Sequence, residues 1–273
     1  MRKTIRFGLF AAVGAVALAF AGSALASFSP KLWAASDATG ATLKVQVGAF
    51  DDPTAEVQIF APLGYQLKDP PPVGTNLGAI TATAQAADLG GAILPLTGQL
   101  VAADPAQYTG PPNNACVPGR HAEVWLLNLT AAGQTLTVPM YVDPASGAAA
   151  AFASFTIVTC LPPPDVPVGT PGRATFGAKL LSAEFGTSAV TSPASGGVWH
   201  SIWTPWTPQK GTPNQAGSVE AQAKAGGAAT LALSGRKSGK KKATLTAKLS
   251  PAAAGTTVIF LAGGKKVASA KTS

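Results

Sequence analysis

The sequence predicts an all-β chain of the sandwich type, and three observations carry that prediction. Gly and Pro, 30 and 23 of the 273 residues, punctuate the chain throughout. The short apolar runs between them alternate with period two, the repeat of a half-buried strand. Good helix formers at helical spacing are scarce, while an apolar content of 47% supports a real core rather than disorder. Many short strands with regular turn signals pack most readily as facing sheets.

The N-terminus is a separate element. Arg2, Lys3 and Arg6 form a positive start, residues 7–20 are uncharged and mostly apolar, and Ala24-Leu25-Ala26 offers a small-residue cleavage site before Ser27. The run is short of the roughly 20 residues that a spanning helix needs. It reads as a signal-peptide helix over 1–26, cleaved between Ala26 and Ser27. The expected mature chain is exported, secreted or on the cell surface, without a membrane span.

Strands are predicted over 41–48, 55–60, 77–85, 94–102, 121–130, 134–142 and 152–160, then 174–185, 198–204 and 218–223. In HAEVWLLNLT both alternating sets, Val124/Leu126 and Trp125/Leu127/Leu129, are apolar, as in a strand covered on both sides. SVEAQA alternates cleanly, with Val219 and Ala221 inward and Glu220 and Gln222 outward, as in an outer strand. Residues 160–173, CLPPPDVPVGTPGR, hold five prolines and cannot enter a sheet interior, so they form an extended connector. KAGGAAT at 224–230 is a small-residue joint. The expected domains are the signal peptide 1–26, a β-sandwich body 27–223 with a sub-boundary at 161–173, and a basic unit 224–273.

The basic unit resembles a known module. A strand over 243–249, the turn SPAAAGT at 250–256 and the hairpin TVIFLAGGKKVASAKT resemble the first half of bacterial immunoglobulin-like repeats of exported proteins. The resemblance covers about 45 residues, half of the roughly 100 in such a domain. It implies an immunoglobulin-like sandwich used as a spacer or adhesion module. The body, through CLPPPDVPVGTPGRATFGAKL and TPWTPQKGTPNQAGSVEAQA, is similar to uncharacterised exported proteins of high-GC bacteria. That similarity implies a compartment and carries no activity.

Export changes how the cysteines read. Cys116 and Cys160 are the only two, there is no CxxC, and His121 and His200 are the only histidines, so a disulfide is expected rather than a metal site. Charge is divided as well. Residues 27–219 carry seven Lys/Arg against eleven Asp/Glu, a net of −4, while 220–273 carry ten against Glu220 alone, a net of +9. Arg236, Lys237, Lys240, Lys241 and Lys242 are candidate contacts to a polyanion such as a cell-envelope polysaccharide, with nucleic acid set aside. The plain alternative is a solvated, Lys-rich edge.

No catalytic, metal or cofactor residues are assigned. HExxH, GxSxG and phosphate-cradling loops are missing, and the adjacent Asp51-Asp52 before Pro53 read as a turn. LPLTG at 94–98 matches a sorting pattern but stands mid-chain, and NLT at 128–130 falls in a predicted buried strand. The three tryptophans of VWHSIWTPW remain. Trp199 and Trp203 share a strand face, and Trp206 enters a proline-braced loop. They are either core or a candidate ligand platform. The resulting expectation is a secreted, non-catalytic β-sandwich for cell-surface adhesion, spacing or envelope binding. A carbohydrate-binding module using Trp199, Trp203 and Trp206 is the first alternative, and a hydrolase with an unrecognised site is the second.

Overall fold

Strand ATLKVQ shows in miniature how the chain folds. Ala41, Leu43 and Val45 are buried while Thr42, Lys44 and Gln46 face solvent, the alternation that a pleated strand imposes when one face packs on a core. A computed structural model describes residues 28–37, 39–110, 116–131, 133–226, 230–237, 243–250, 257–262 and 265–271. The expected signal peptide, with Ala26 and Ser27 at its expected cleavage point, lies outside the described residues. Helical structure among them is limited to short 3₁₀ turns, so the all-β class holds. No described helix is long and apolar enough to cross a membrane.

The strands follow in chain order. The first are β1 (Lys31–Ser36), β2 (Ala41–Gln46), β3 (Thr54–Pro62), β4 (Gln66–Leu67), β5 (Asn76–Ala86) and β6 (Ala92–Ala103). Next come β7 (Glu123–Ala131), β8 (Gln134–Pro144), β9 (Ala153–Cys160), β10 (Ala178–Thr187), β11 (Val190–Thr191), β12 (Gly197–Pro205) and β13 (Val219–Ala225). The C-terminal unit contributes β14 (Thr230–Lys237), β15 (Ala243–Ser250), β16 (Thr257–Ala262) and β17 (Lys265–Lys271).

Eleven strands form one continuous sheet in the order β1-β2-β10-β5-β6-β7-β8-β9-β3-β12-β13. Every neighbouring pair is antiparallel. An odd number of alternating strands leaves the first and last running the same way. The two edges, β1 and β13, lie alongside each other, and Ser36 Oγ donates to Gly226 O at 2.6 Å where both strands end. The sheet therefore curls barrel-fashion around a shared core, with a parallel seam bridged by a side chain. Its outer face carries Thr42, Lys44, Thr81, Gln99 and Glu184, and its inner face Leu43, Ile80, Leu100 and Phe185. That polarity is the reverse of a barrel embedded in lipid.

Several predicted boundaries move for identifiable reasons. Strand 121–130 begins at Glu123, because His121 Nδ1 meets Asp143 Oδ2 at 2.8 Å and Ala122 N donates to Asp143 Oδ1 at 2.8 Å. Strand 174–185 begins at Ala178, after a 3₁₀ turn in which Phe176 takes φ +56°. The outer face of β7 is covered only at its start. There Val124 and the neighbouring Tyr141 and Val158 are buried, and His121 packs against the Tyr141 ring at 4.6 Å. The Cys116–Cys160 disulfide ties the residues before His121 to the end of β9, with Cα atoms 6.0 Å apart. LPLTG is part of β6, and its Gly98 allows close approach to β7, since a Cβ would come within 1.7 Å of Asn128 O. β1 was not expected from alternation, because KLWAAS turns Trp33 outward and sets only Leu32 and the small Ala34 inward.

Beyond the body, β14 pairs with β15 and β16 with β17, both antiparallel. β15 falls on the strand expected at 243–249, and β16 and β17 fall within the hairpin expected at 257–272.

One buried charge stands out. Glu123 sits on the same face as Trp125 and accepts a hydrogen bond from Trp125 Nε1 at 2.8 Å. Burial pushes its carboxyl above the ordinary glutamate value of 4.5, against the pull of that bond. A raised pKa means that the folded state holds the proton longer than the unfolded one. Its contribution is fully present below 4.5 and is lost as pH rises through the folded value. Glu123→Gln, which keeps an acceptor for Trp125, should stabilise the fold at pH 7 and match the parent near pH 4. Urea unfolding at the two pH values measures the difference.

Candidate functional site

Because strand direction alternates around the sheet, its connections sort to two ends. At one end lie the turns 47–53 and 87–91, the turn after Ala131, the proline-rich strap 161–177 and the loop 206–218. This is the open end.

The opposite half of the interior is filled by aromatics. Trp125, Trp199, Tyr65 and Phe155 are all fully buried there, and Trp203, equally buried, stands across from Val57 nearer the open end. Trp199 meets Tyr65 at 5.0 Å and 73°, and Phe155 at 6.3 Å and 84°, both the edge-to-face geometry that ring quadrupoles favour. Trp203 Nε1 donates to Ser201 Oγ at 2.8 Å, which in turn donates to Ala221 O at 3.2 Å.

Toward the open end the filling stops. Ala82, Ala84, Ala131, Ala178 and Ala183 replace the large rings and leave a chamber of about 220 Å³. Eight strands close on an interior that side chains just fill, and eleven enclose more. The walls are aliphatic, with Val57, Ile80, Leu96, Leu129 and Met140 beside Phe185. Polar lining is sparse and includes Gln134, Thr159 and Lys179.

The strap crosses the mouth. Leu161, Pro162, Pro164 and Phe176 all line the chamber. Proline removes amide donors and holds the segment extended, so the strap covers the end without joining the sheet. Side chains fasten it instead. Arg173 grips Asp88 with both terminal nitrogens, at 2.7 and 2.8 Å, and its Nε donates to Val166 O at 2.7 Å. Asp165 Oδ2 accepts from Gln209 N at 2.7 Å, which ties strap to loop. Gly211 packs so close to the strap that a Cβ would come within 3.0 Å of Val166 Cγ1.

Charges of both signs stand at this end, Asp51, Asp52, Asp88 and Asp165 with Arg173, Lys179 and Lys210. Lys179 Nζ donates to Ala49 O at 2.8 Å and Asp51 O at 2.6 Å. Burial lowers its pKa, while Asp51 and Asp52 act to raise it. Burial raises the Asp52 pKa. Lys179 opposes that shift, and Asp165 and Asp51 add to it. Asp51 itself anchors the 47–53 turn, since its Oδ2 accepts from Gly48 N and Ser29 N, each at 3.0 Å. The Asp51-Asp52 pair is a turn, as its proline suggested.

The expected site residues divide. Trp199 and Trp203 are 0% exposed, so a surface platform of three rings does not form. Trp206 alone stays half-buried. Its N donates to Pro53 O at 2.7 Å, and its Nε1 is buried without a hydrogen-bond partner. Arg236 and Lys237 end β14, both exposed, while Lys240, Lys241 and Lys242 lie outside the described residues. His121 is held by Asp143, and His200 packs on the Phe152 ring at 5.3 Å, so the two histidines serve separate packing roles. The chamber was not foreseen. Its one legible trace is the run of inward alanines in AITATAQA, at 79–86.

The chain matches no known family, characterised protein or solved structure.

Arg173→Ala should release the strap, and Arg173→Lys should not restore it, since an ammonium lacks the planar fork that Asp88 receives. Hydrogen exchange should speed up across 163–174 in both variants while the β5–β7 amides keep their protection. Unchanged exchange in the strap would show that Asp165 and the prolines suffice to hold it.

Proposed function

We propose that this is an exported, non-catalytic binding protein of the bacterial envelope or exterior that takes an apolar small molecule into its body. The observation that carries the reading is the aliphatic chamber beneath the strap. A concave, mostly apolar site with a few polar groups at its edge is the usual form of a small-molecule pocket. Apolar walls of Val, Ile, Leu and Met offer dispersion contacts and a dry surface, but no acid, base or nucleophile set converges there. Export rests on Arg2, Lys3, Arg6 and the apolar run before Ala26.

Ala82 points into the chamber from β5. Ala82→Trp should fill it and abolish fluorescence enhancement of N-phenyl-1-naphthylamine, which the parent protein should bind at micromolar concentration. A parent protein that leaves the dye dark would sink the reading. Circular dichroism checks that the variant keeps its strand signal.

The C-terminal unit supports a second, separable role. Arg236, Lys237, Lys248, Lys265, Lys266 and Lys271 are all exposed on its two hairpins. We read 224–273 as an immunoglobulin-like spacer that also contacts anionic envelope polymers. Retention on heparin-type resin should fall steeply as salt rises, because such contacts are screened within about 8 Å at physiological ionic strength. Retention that ignores salt would exclude the polyanion role.

A further inference from the structure

The open end carries a ring of exposed apolar side chains. Phe50, in the 47–53 turn, is 100% exposed, and Val168, in the strap, is 80% exposed. Leu89 in the 87–91 turn, Ile93 at the start of β6, Leu136 near the start of β8 and Phe176 in the strap are exposed as well. Single exposed hydrophobics are ordinary, because a folded surface is more than half apolar. These six come from four separate parts of the chain and converge on the end where the chamber opens. Leu136 and Phe176 also line the chamber, so the exposed apolar side chains reach into its interior. Phe176 holds φ +56°, in the left-handed region where a bulky residue is strained.

We propose that the open end docks on a lipid surface, from which the chamber takes an aliphatic chain. This rests on the chamber reading above. The partner follows from continuity and charge. A chain that leaves a lipid layer through this ring never crosses water, which neither a polar protein partner nor a polysaccharide would require. The end also carries charges of both signs: Asp51, Asp52 and Asp165 stand with Lys179 and Lys210, and Arg173 and Asp88 neutralise each other. With the two signs this close to balance, apolar insertion rather than charge attraction carries the contact, and a surface of neutral or zwitterionic headgroups suits it.

The test is flotation of the mature chain with phosphatidylcholine vesicles, whose zwitterionic surface offers no net charge to the basic 220–273 segment. The parent protein should float. Phe50→Asp with Val168→Asp, both at exposed positions, should cut the floated fraction about tenfold, while binding of N-phenyl-1-naphthylamine in solution stays unchanged. A parent protein that binds the dye but stays at the bottom of the gradient overturns docking and leaves the chamber reading intact. A double variant that floats as well as the parent also overturns it. If the parent is a dimer that the double variant splits, the ring is an interface between copies, and the lipid proposal falls. A parent that binds no dye removes the chamber reading itself.

Discussion

Closing eleven antiparallel strands around one core is the constraint on which the rest of the structure depends. Because the number is odd, the two edges meet in parallel, where a regular antiparallel ladder cannot form. A side-chain bond from Ser36 to Gly226 takes up part of that role. Because the number is also large, the perimeter exceeds what ordinary side chains can fill. The chain answers differently at its two ends. Trp125, Trp199, Tyr65 and Phe155 pack one end densely, and alanines leave a chamber toward the other.

That asymmetry explains why the proline-rich segment lies where it does. An open barrel end exposes apolar walls to water, so something must cover it, and a cover made of sheet would need ladder partners that the closed strands no longer offer. A proline strap needs none. It is fixed at its start by the disulfide next to Leu161, and farther along by Arg173 on Asp88 and Asp165 on Gln209 N. Most of these fastenings are polar and lie near the surface, where each contributes modestly to stability. Cover and core are thus held by different forces: the core by burial of large rings, the cover by a few directional bonds.

The polar groups at the open end are arranged for structure as much as for any ligand. Lys179 caps two carbonyls of the 47–53 turn, and Asp51 caps two amides. Their charges hold the turn that carries Phe50 into solvent. An exposed phenylalanine on a turn braced from inside by an ion cluster is a presented side chain rather than a loose one.

Strand identity was legible in the residues because alternation is local: ATLKVQ, SVEAQA and the tryptophan strand each announce which face is buried. The disulfide was legible from the compartment and the scarcity of other cysteines, and the proline connector from its missing donors. What LPLTG does was not legible, since Gly98 matters through a neighbour 30 positions away, at Asn128. Nor was β1, whose alanines signal little without the β2 partner that orders them. The fate of the tryptophans lay between. Sequence placed Trp199 and Trp203 on one face, and closure of the sheet made that face the inside. Local chemistry alone therefore determined that the chain is all-β, where most strands of its body run and which segment cannot be sheet. Only the tertiary structure decided that the strands close as one sheet with a half-empty interior and an apolar rim. Strand order, seam and cavity arise from pairings between residues far apart in the chain, and no periodicity within a strand records them.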